Sequence, residues 1–144
     1  MEDLEAALKN IQAAVTQTPE SHPDYADRLQ ALAESLVDQF RRSGNLEDLE
    51  GALQTTQMAV ARTPEGSPYL AGRLQSLARS LRDRFQRSGD MRDLEGALQY
   101  NRQAVALTPE GDPYLAERLQ HLAMSFRARY QRLGDIQDLD SVLK

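Results

Sequence analysis

The sequence predicts an all-α protein made of tandem helical repeats. The segment Asp-Leu-Glu-(Ala/Gly)-Ala-Leu begins at Asp3, Asp48 and Asp93, and a partial copy begins at Asp138, so the period is 45 residues throughout. Apolar residues recur at spacings of three and four, the spacing of one helical face, and no segment alternates with the period of two typical of strands. A fixed period of this size is typical of a stacked array, in which each repeat buries its apolar face against its neighbours.

The composition of the chain excludes several classes of protein and of functional site. The 144 residues are 40% hydrophobic and 27% charged, which is typical of a soluble globular fold. The absence of cysteine excludes disulfides, thiolate zinc sites and cysteine nucleophiles. The net charge of −5 argues against nucleic acid as a partner. No apolar run is long enough for a membrane span, and the acidic start is unlike a secretory signal, so we expect a cytoplasmic protein with no membrane partner.

The motif opens the first of two predicted helix types, here termed the Asp-Leu-Glu helix. Its apolar face is predicted to consist of Leu49, Ala52, Leu53, Thr56, Ala59 and Val60 in the second copy. Its N-caps are predicted at Asn45, Asp90 and Asp135, with a carboxylate capping box at Asp48, Asp93 and Asp138. It is predicted to end before Pro19, Pro64 and Pro109, since proline lacks an N–H and forces the preceding residue out of the helical region.

The second type contains the repeated Arg-Leu-Gln at Arg28, Arg73 and Arg118 and is here termed the Arg-Leu-Gln helix. Its apolar face is predicted to consist of Leu70, Leu74, Leu77, Ala78, Leu81 and Phe85. Ser67 and Asp112 are predicted to cap it, with Pro68 and Pro113 in the first turn. Glycine is predicted to end it in the left-handed conformation, at Gly44, Gly89 and Gly134. We expect about 17 residues in the Asp-Leu-Glu helix and about 20 in the Arg-Leu-Gln helix.

The pattern resembles a long form of the tetratricopeptide repeat (TPR). That family has a large residue, Leu with a small residue, and an aromatic on one helix, then two alanines seven apart and a proline on the next. Leucine replaces the family's tryptophan here, and the period exceeds the common length. The recurring sequence motifs are similar to those in tandem arrays of large fungal signalling proteins. The matching residues are Leu29, Leu32, Ala33, Leu36, Ala7, Ala14 and Pro19; Leu74, Leu77, Ala78, Leu81, Ala52, Ala59 and Pro64; and Leu119, Leu122, Ala123, Phe126, Ala97, Ala104 and Pro109.

The resemblance implies a right-handed α-solenoid of antiparallel helix pairs, a TPR-like superhelix spanning residues 1–144. Residues 1–17 are then an orphan second helix, 23–64 and 68–109 are repeats, and 113–144 is a partial repeat. We expect the chain to be a window cut from a longer array, because neither end carries a polar capping helix. Whether the similarity of the repeats reflects recent duplication or design is left open.

No catalytic constellation is recognisable, and we expect no enzymatic activity, no cofactor and no metal site. Phosphate-loop, nucleophile-elbow and dinucleotide-binding motifs are absent. His22 and His121 lie in different repeats, and a solvated surface role is favoured for both, although His121 neighbours a predicted binding position. Glu34 and Asp38 stand one turn apart, where a solvated face is favoured over a metal or acid–base pair.

The resemblance also implies that the Arg-Leu-Gln helices line a concave groove that receives peptides. The predicted partner-binding positions are Gln30, Glu34, Asp38, Gln75, Arg79, Arg82, Gln120, Met124 and Arg127. The three glutamines recur in register, either as a ladder for a peptide backbone or as ordinary exposed helix formers. The charge of these positions runs from acidic to basic, and 15 of the 17 basic residues are arginine, which suits carboxylate or phosphate recognition.

Two functions follow as hypotheses. The first is a protein-interaction scaffold that binds a peptide or partner segment in the groove. The second is a structural array that self-associates end to end, because Leu4, Leu8 and Ile11 at one end and Leu139 and Val142 at the other are expected to be partly uncovered. Concentration-dependent light scattering separates the two.

Overall fold

The computed structural model describes residues 2–134 and residue 142, and all regular structure within them is α-helical. This confirms the all-α prediction for the described part of the chain. Helices of 16 and 19 residues alternate, close to the expected lengths. The helices are α1 (Glu2–Gln17), α2 (Tyr25–Ser43), α3 (Leu46–Ala61), α4 (Leu70–Ser88), α5 (Met91–Ala106) and α6 (Leu115–Leu133).

The chain divides into two compact units, Met1–Arg73 and Leu74–Lys144. The boundary falls inside α4, after its first turn. Unit 1 therefore contains α1, α2 and α3, and unit 2 contains most of α4 together with α5 and α6. Within residues 2–134, no helix combines the length and the apolar character that crossing a bilayer requires.

The predicted N-caps of the Asp-Leu-Glu helices are confirmed at Asn45 and Asp90. Asn45 Oδ1 accepts from the backbone N–H of Glu47 at 3.0 Å, and Asp90 Oδ1 accepts from that of Arg92 at 3.0 Å. Each cap satisfies one of the N–H groups that the first helical turn leaves without an intrahelical acceptor. The third predicted cap and capping-box residue, Asp135 and Asp138, lie outside the described residues.

The predicted carboxylate capping box is wrong at Asp48 and Asp93. In unit 1 the backbone N–H of Asn45 donates to Ser43 Oγ at 3.1 Å, while Asp48 accepts from the same hydroxyl at 3.3 Å. Ser43 ends the preceding helix two residues before Asn45, and its hydroxyl accepts from this N–H in place of the Asp48 carboxylate. Asp48 therefore bonds to other groups. In unit 2 the backbone N–H of Asp90 likewise donates to Ser88 Oγ, and Asp93 accepts from Arg84 instead.

Glycine ends the Arg-Leu-Gln helices as predicted. Gly44, Gly89 and Gly134 have φ angles of 72°, 75° and 69°, in the left-handed region that side chains rarely adopt. The N–H of Gly44 donates to Phe40 O at 2.7 Å, which satisfies a terminal carbonyl. The Asp-Leu-Glu helices end at Gln17, Ala61 and Ala106, before each Thr-Pro, also as predicted.

The start of the Arg-Leu-Gln helix lies two residues later than predicted. Ser67 Oγ accepts from the backbone N–H of Tyr69 at 3.1 Å, and Asp112 Oδ1 accepts from that of Tyr114 at 2.8 Å. These contacts form a turn that contains the proline, and the helix begins only after it, at Leu70 or Leu115.

The predicted helix faces form the cores of both units. In unit 1, Leu49, Ala52 and Ala59 are fully buried, and Val15 of α1 packs on the cluster of Tyr25, Leu29 and Ala59. In unit 2, Ala97 and Ala104 of α5 are at most 1% exposed. These alanines therefore lie where helices approach closely, as the repeat pattern predicts, whereas Ala7 of α1 is exposed. The buried apolar residues of unit 2 are Leu74, Leu77, Ala78, Leu81, Leu94, Ala97, Leu98, Ala104 and Phe126.

In α3 and α5, a glycine of the Asp-Leu-Glu helix also lies against the preceding helix. A Cβ at Gly51 would stand 3.4 Å from Leu36 Cδ1, and a Cβ at Gly96 would stand 3.2 Å from Leu81 Cδ1. These two contacts are equivalent in the repeat, and both mark a close approach between helices within one unit.

Candidate partner-binding surface

Unit 1 presents the acidic part of the predicted surface on α2, here termed the α2 face and consisting of Gln30, Glu34 and Asp38. Glu34 and Asp38 are exposed, and Gln30 is half-buried with its Nε2 donating to Glu34 Oε1 at 3.4 Å. The two carboxylates are thus accessible to solvent. The solvated interpretation of Glu34 and Asp38 agrees with this exposure.

Arg73 neutralises a third carboxylate close to the α2 face. Its side chain is 8% exposed and forms an ion pair with Asp27. The same guanidinium donates to Thr63 Oγ1 at 2.7 Å. Arg73 therefore joins the first turn of α4 to α2 and to the end of α3 within unit 1, and Asp27 is committed to the fold.

The contact between Thr63 and Arg73 recurs in every repeat, and the sequence analysis missed it. Each threonine hydroxyl donates to the carbonyl four residues earlier and accepts from an arginine ten residues later, across the Thr-Pro loop. We term this arrangement the Thr–Arg clasp. The constant separation of the recurring Thr-Pro-Glu and Arg-Leu-Gln motifs was the available signal. The clasps are Thr18–Arg28 and Thr63–Arg73 in unit 1 and Thr108–Arg118 in unit 2.

Unit 2 carries the remaining predicted positions on two helices, here termed the α4–α6 face. On α4, Gln75 and Arg79 are half-buried, whereas Arg82 is only 7% exposed. On α6, all three positions are exposed: Gln120, Met124 and Arg127. Direct contact with a partner at the surface is therefore open to every member of the α4–α6 face except Arg82.

Arg82 belongs to a buried polar network that joins all three helices of unit 2. Its Nη1 lies 3.4 Å from the carbonyl of His121 and 3.5 Å from Ser125 Oγ, and its Nη2 lies 3.4 Å from His121 Nδ1. Ser125 is fully buried and donates to Asn101 Oδ1 of α5 at 2.7 Å. The network therefore holds α4, α5 and α6 together.

His121 is not the solvated surface histidine that the sequence favoured. Its side chain is 17% exposed, whereas that of His22 is 44% exposed. With Arg82 donating to Nδ1, the neutral ring carries its proton on Nε2, which lies 3.9 Å from Glu117 Oε1. The solvated interpretation is thus confirmed for His22 and wrong for His121.

Positive charge accumulates around this network. Burial, then Arg82 and Arg79, lower the pKa of His121, and Glu117 opposes the shift. Burial also lowers the pKa of Arg82, and Arg79 adds to this effect while Asp83 opposes it. Each positive charge at this site thus makes the charged form of a neighbouring basic group less favourable.

The recurring glutamines have different environments. Gln75 Nε2 donates to Glu117 Oε1 at 3.2 Å and so joins α4 to α6, while Gln120 is exposed. Among the described residues, the buried Oε1 of Gln75 accepts no hydrogen bond. A buried acceptor without a donor is costly, and Gln39 Oε1 on α2 is in the same state among the described residues, so this feature is not specific to the predicted surface.

A cavity of about 560 Å³ lies on α5, outside the predicted surface; it is lined by Met91, Arg92, Glu95, Gly96, Gln99 and Arg102. Within residues 2–134, no group of three or more histidine or carboxylate side chains is arranged to hold a metal ion.

No protein-family model, curated protein or solved structure matches the chain. The resemblance to tetratricopeptide repeats thus rests on the sequence pattern, and the geometry of the two faces carries the functional argument.

Proposed function

We propose that the chain is a non-catalytic, cytoplasmic scaffold of TPR-like right-handed solenoid form, whose Arg-Leu-Gln helices bind a peptide or partner segment. The observation that carries this proposal is that Gln120, Met124 and Arg127 lie exposed at helical spacing on α6. Together these side chains offer a partner segment both polar and apolar contacts.

The composition of the α4–α6 face also suits a protein partner. Met124 is 43% exposed, and methionine adapts its shape to different apolar surfaces. Arginine is enriched in the energetically important part of protein interfaces, and Arg79 and Arg127 flank the glutamines along the helices. Unlike Arg82, neither arginine belongs to the buried network.

Selection from a random peptide library, followed by mapping of backbone amide shifts, tests the proposal. We expect selected peptides to shift amides of the Arg-Leu-Gln helices, either of α2 or of α4 and α6. Gln120→Met removes an exposed hydrogen-bonding group of the α4–α6 face at similar volume and is expected to weaken binding to α4 and α6 about tenfold. Gln99→Met on α5 is the matched control and is expected to leave the affinity unchanged. Peptides that map to α3 or α5, or an unaffected Gln120→Met variant, contradict the proposal.

A paired charge reversal adds a second test. Arg79→Glu with Arg127→Glu is expected to abolish capture of a selected peptide, because both side chains lie at the accessible surface of the α4–α6 face. Arg82 is unsuitable for this purpose, since a glutamate in the buried network would unfold unit 2. Unchanged capture removes the arginines from the binding surface.

A second candidate function is end-to-end self-association. It is favoured by the exposure of large apolar residues on α6, where Leu119 is 47% and Leu133 is 58% exposed. Light scattering over a concentration series tests it, with Leu119→Glu as the variant that should return the protein to a monomer. A wild-type chain that stays monomeric at high concentration excludes this function and leaves peptide binding untouched.

A further inference from the structure

Arg82 is a buried cation without an anionic partner in the part of the chain that the structure describes. The three acceptors it reaches, on His121 and Ser125, are neutral and stand 3.4–3.5 Å away, which is long for a charged donor. Buried charges are normally paired, because the loss of hydration is otherwise uncompensated. The described contacts thus leave the charge of Arg82 poorly compensated.

The repeats show that the fold does not require this charge. The position equivalent to Arg82 in unit 1 is Val37, which is half-buried in α2. The positions equivalent to Arg79 and His121 hold, in other copies, Met124 and Ser76. Uncharged residues therefore occupy each of the three positions in another repeat of the same chain. Packing alone thus does not explain the cations of unit 2.

Three positive or protonatable groups converge at one place on the α4–α6 face. Arg79 lies one turn before Arg82 on α4 and is half-buried, and both face His121 of α6 closely enough to lower its pKa. Two carboxylates lie nearby. Glu117 accepts from Gln75, and Asp83 follows Arg82 in sequence and raises its pKa. With His121 neutral, the two arginine charges and the two carboxylate charges balance, and protonation of His121 makes the site positive.

We infer that Arg79, Arg82 and His121 form a site for a carboxylate side chain of an acidic partner segment. This inference rests on the proposed function and names the chemistry of the segment. Arg79 meets the carboxylate at the surface, and Arg82 supplies a second charge from a region of low dielectric, where its field is strong. A bound carboxylate also favours protonated His121, so binding and proton uptake are coupled.

The probe is a short amidated peptide of alternating glutamate and alanine, with alternating glutamine and alanine as the neutral isostere. Binding is measured by calorimetry above and below the ordinary histidine pKa of about 6.5. We expect the glutamate peptide to bind at least about tenfold more tightly than the glutamine peptide. We also expect its affinity to rise about fivefold as the pH falls from above to below 6.5, because the peptide stays ionised while the bound carboxylate raises the pKa of His121 and the ring takes up a proton.

Substitutions borrowed from the other repeats serve as matched variants. Arg79→Met and Arg82→Val are each expected to weaken the glutamate peptide about tenfold. His121→Ser is expected to remove the strengthening in acid. Arg92→Met on α5, where the side chain is 91% exposed, is the control and should change neither quantity. Circular dichroism verifies that each variant is folded, and Arg79→Met, being nearest the surface, tests the site even if Arg82→Val unfolds.

Equal binding of the glutamate and glutamine peptides overturns the inference, as does an affinity for the glutamate peptide that Arg79→Met or His121→Ser leaves unchanged. Inorganic phosphate is added as a competitor, and displacement of the peptide at low phosphate concentration overturns the preference for a carboxylate. Library peptides that bind through Gln120 but contain no acidic residue contradict this inference alone. Absence of any peptide binding to α2, α4 or α6 instead contradicts the proposed function.

Discussion

Individual threonines and arginines have a larger structural role than the repeated motifs suggested. Thr63 is 8% exposed, and Arg73 brings a guanidinium to its hydroxyl and to Asp27 at once. Both residues stood out as members of separate motifs, but sequence spacing alone does not show that two motifs on opposite sides of a loop share a hydrogen bond. The clasp depends on how the Thr-Pro turn folds the chain back, which is a property of backbone geometry.

Thr63→Val tests the energetic weight of the Thr–Arg clasp. Valine keeps the shape of threonine but leaves the buried guanidinium of Arg73 without one acceptor, so we expect the free energy of unfolding to fall by about 1–3 kcal/mol. Thr18→Val should cost less, because the side chain of Arg28 is 44% exposed and water replaces the lost acceptor. Urea unfolding measures both. Thr16→Val, whose hydroxyl contacts only its own helix at the surface, is the control.

His121 makes stability depend on pH. Its pKa is lowered in the folded protein, chiefly by burial, so the unfolded chain binds the proton more readily. The contribution of His121 to the free energy of unfolding is fully present above its pKa in the unfolded chain, about 6.5. This contribution is lost as the pH falls through the lowered pKa of the folded protein. We expect urea unfolding between pH 7 and 5 to show this decline in the wild type and in His22→Ser. A decline that persists unchanged in His121→Ser would assign it to other groups.

At the scale of helices, the sequence was a good guide where one residue determines the local backbone. Gly44, Gly89 and Gly134 end helices because their positive φ suits glycine alone, and that requirement is visible in the residue type. The capping box failed because Ser43 and Asp48 compete for the same N–H, and the outcome depends on where the Ser43 side chain points. Start positions failed similarly, since Ser67 can cap either a helix or a turn.

The glycines inside the Asp-Leu-Glu helices offer a test of close helix packing. Alanine has the higher helix propensity by about 1 kcal/mol, and position 6, the equivalent place in α1, is already alanine. At Gly51 the new Cβ makes an ordinary contact with Leu36, so we expect Gly51→Ala to raise the free energy of unfolding by about 0.5–1 kcal/mol.

At Gly96 the new Cβ is closer to Leu81, which must shift by a few tenths of an ångström. We therefore expect Gly96→Ala to gain less than Gly51→Ala, or to lose stability. Thermal unfolding of the two variants side by side measures the difference. Equal gains at both positions would show that Leu81 adjusts at no cost, and that the packing of α4 on α5 is looser than the geometry indicates.

Over the whole chain, the repeat predicted which residues are equivalent but not which of them differ in role. Arg82, Val37 and Arg127 occupy the same repeat position, yet one is buried in a polar network, one is half-buried and one is exposed. Burial at this position depends on the neighbouring helix, and the partner of Arg82 is His121, a residue type found in no other copy at that place. The candidate site was therefore predictable as a face, whereas its chemistry required the structure.

Charge differs between the two units, and this asymmetry predicts where charged partners bind. Met1–Arg73 contains 12 acidic and 6 basic residues, whereas Leu74–Lys144 contains 10 and 11. Net charges of −6 and +1 attract opposite partners, within the Debye length of about 10 Å at 0.1 M salt. We expect the alternating glutamate–alanine peptide to shift backbone amides within residues 74–134, and a lysine–alanine peptide to shift those within residues 2–73.

Titration of both peptides against labelled protein, at low and at raised salt, checks this assignment. Raised salt should weaken the lysine–alanine peptide more, because its acidic targets Glu34 and Asp38 are exposed and therefore screened. The glutamate–alanine peptide should keep more of its affinity, since Arg82 acts from a buried position that salt screens less. The glutamine–alanine peptide is the control for contacts unrelated to charge. If both charged peptides shift the same amides, the asymmetry of the units does not direct binding, and the acidic α2 face loses its distinct role.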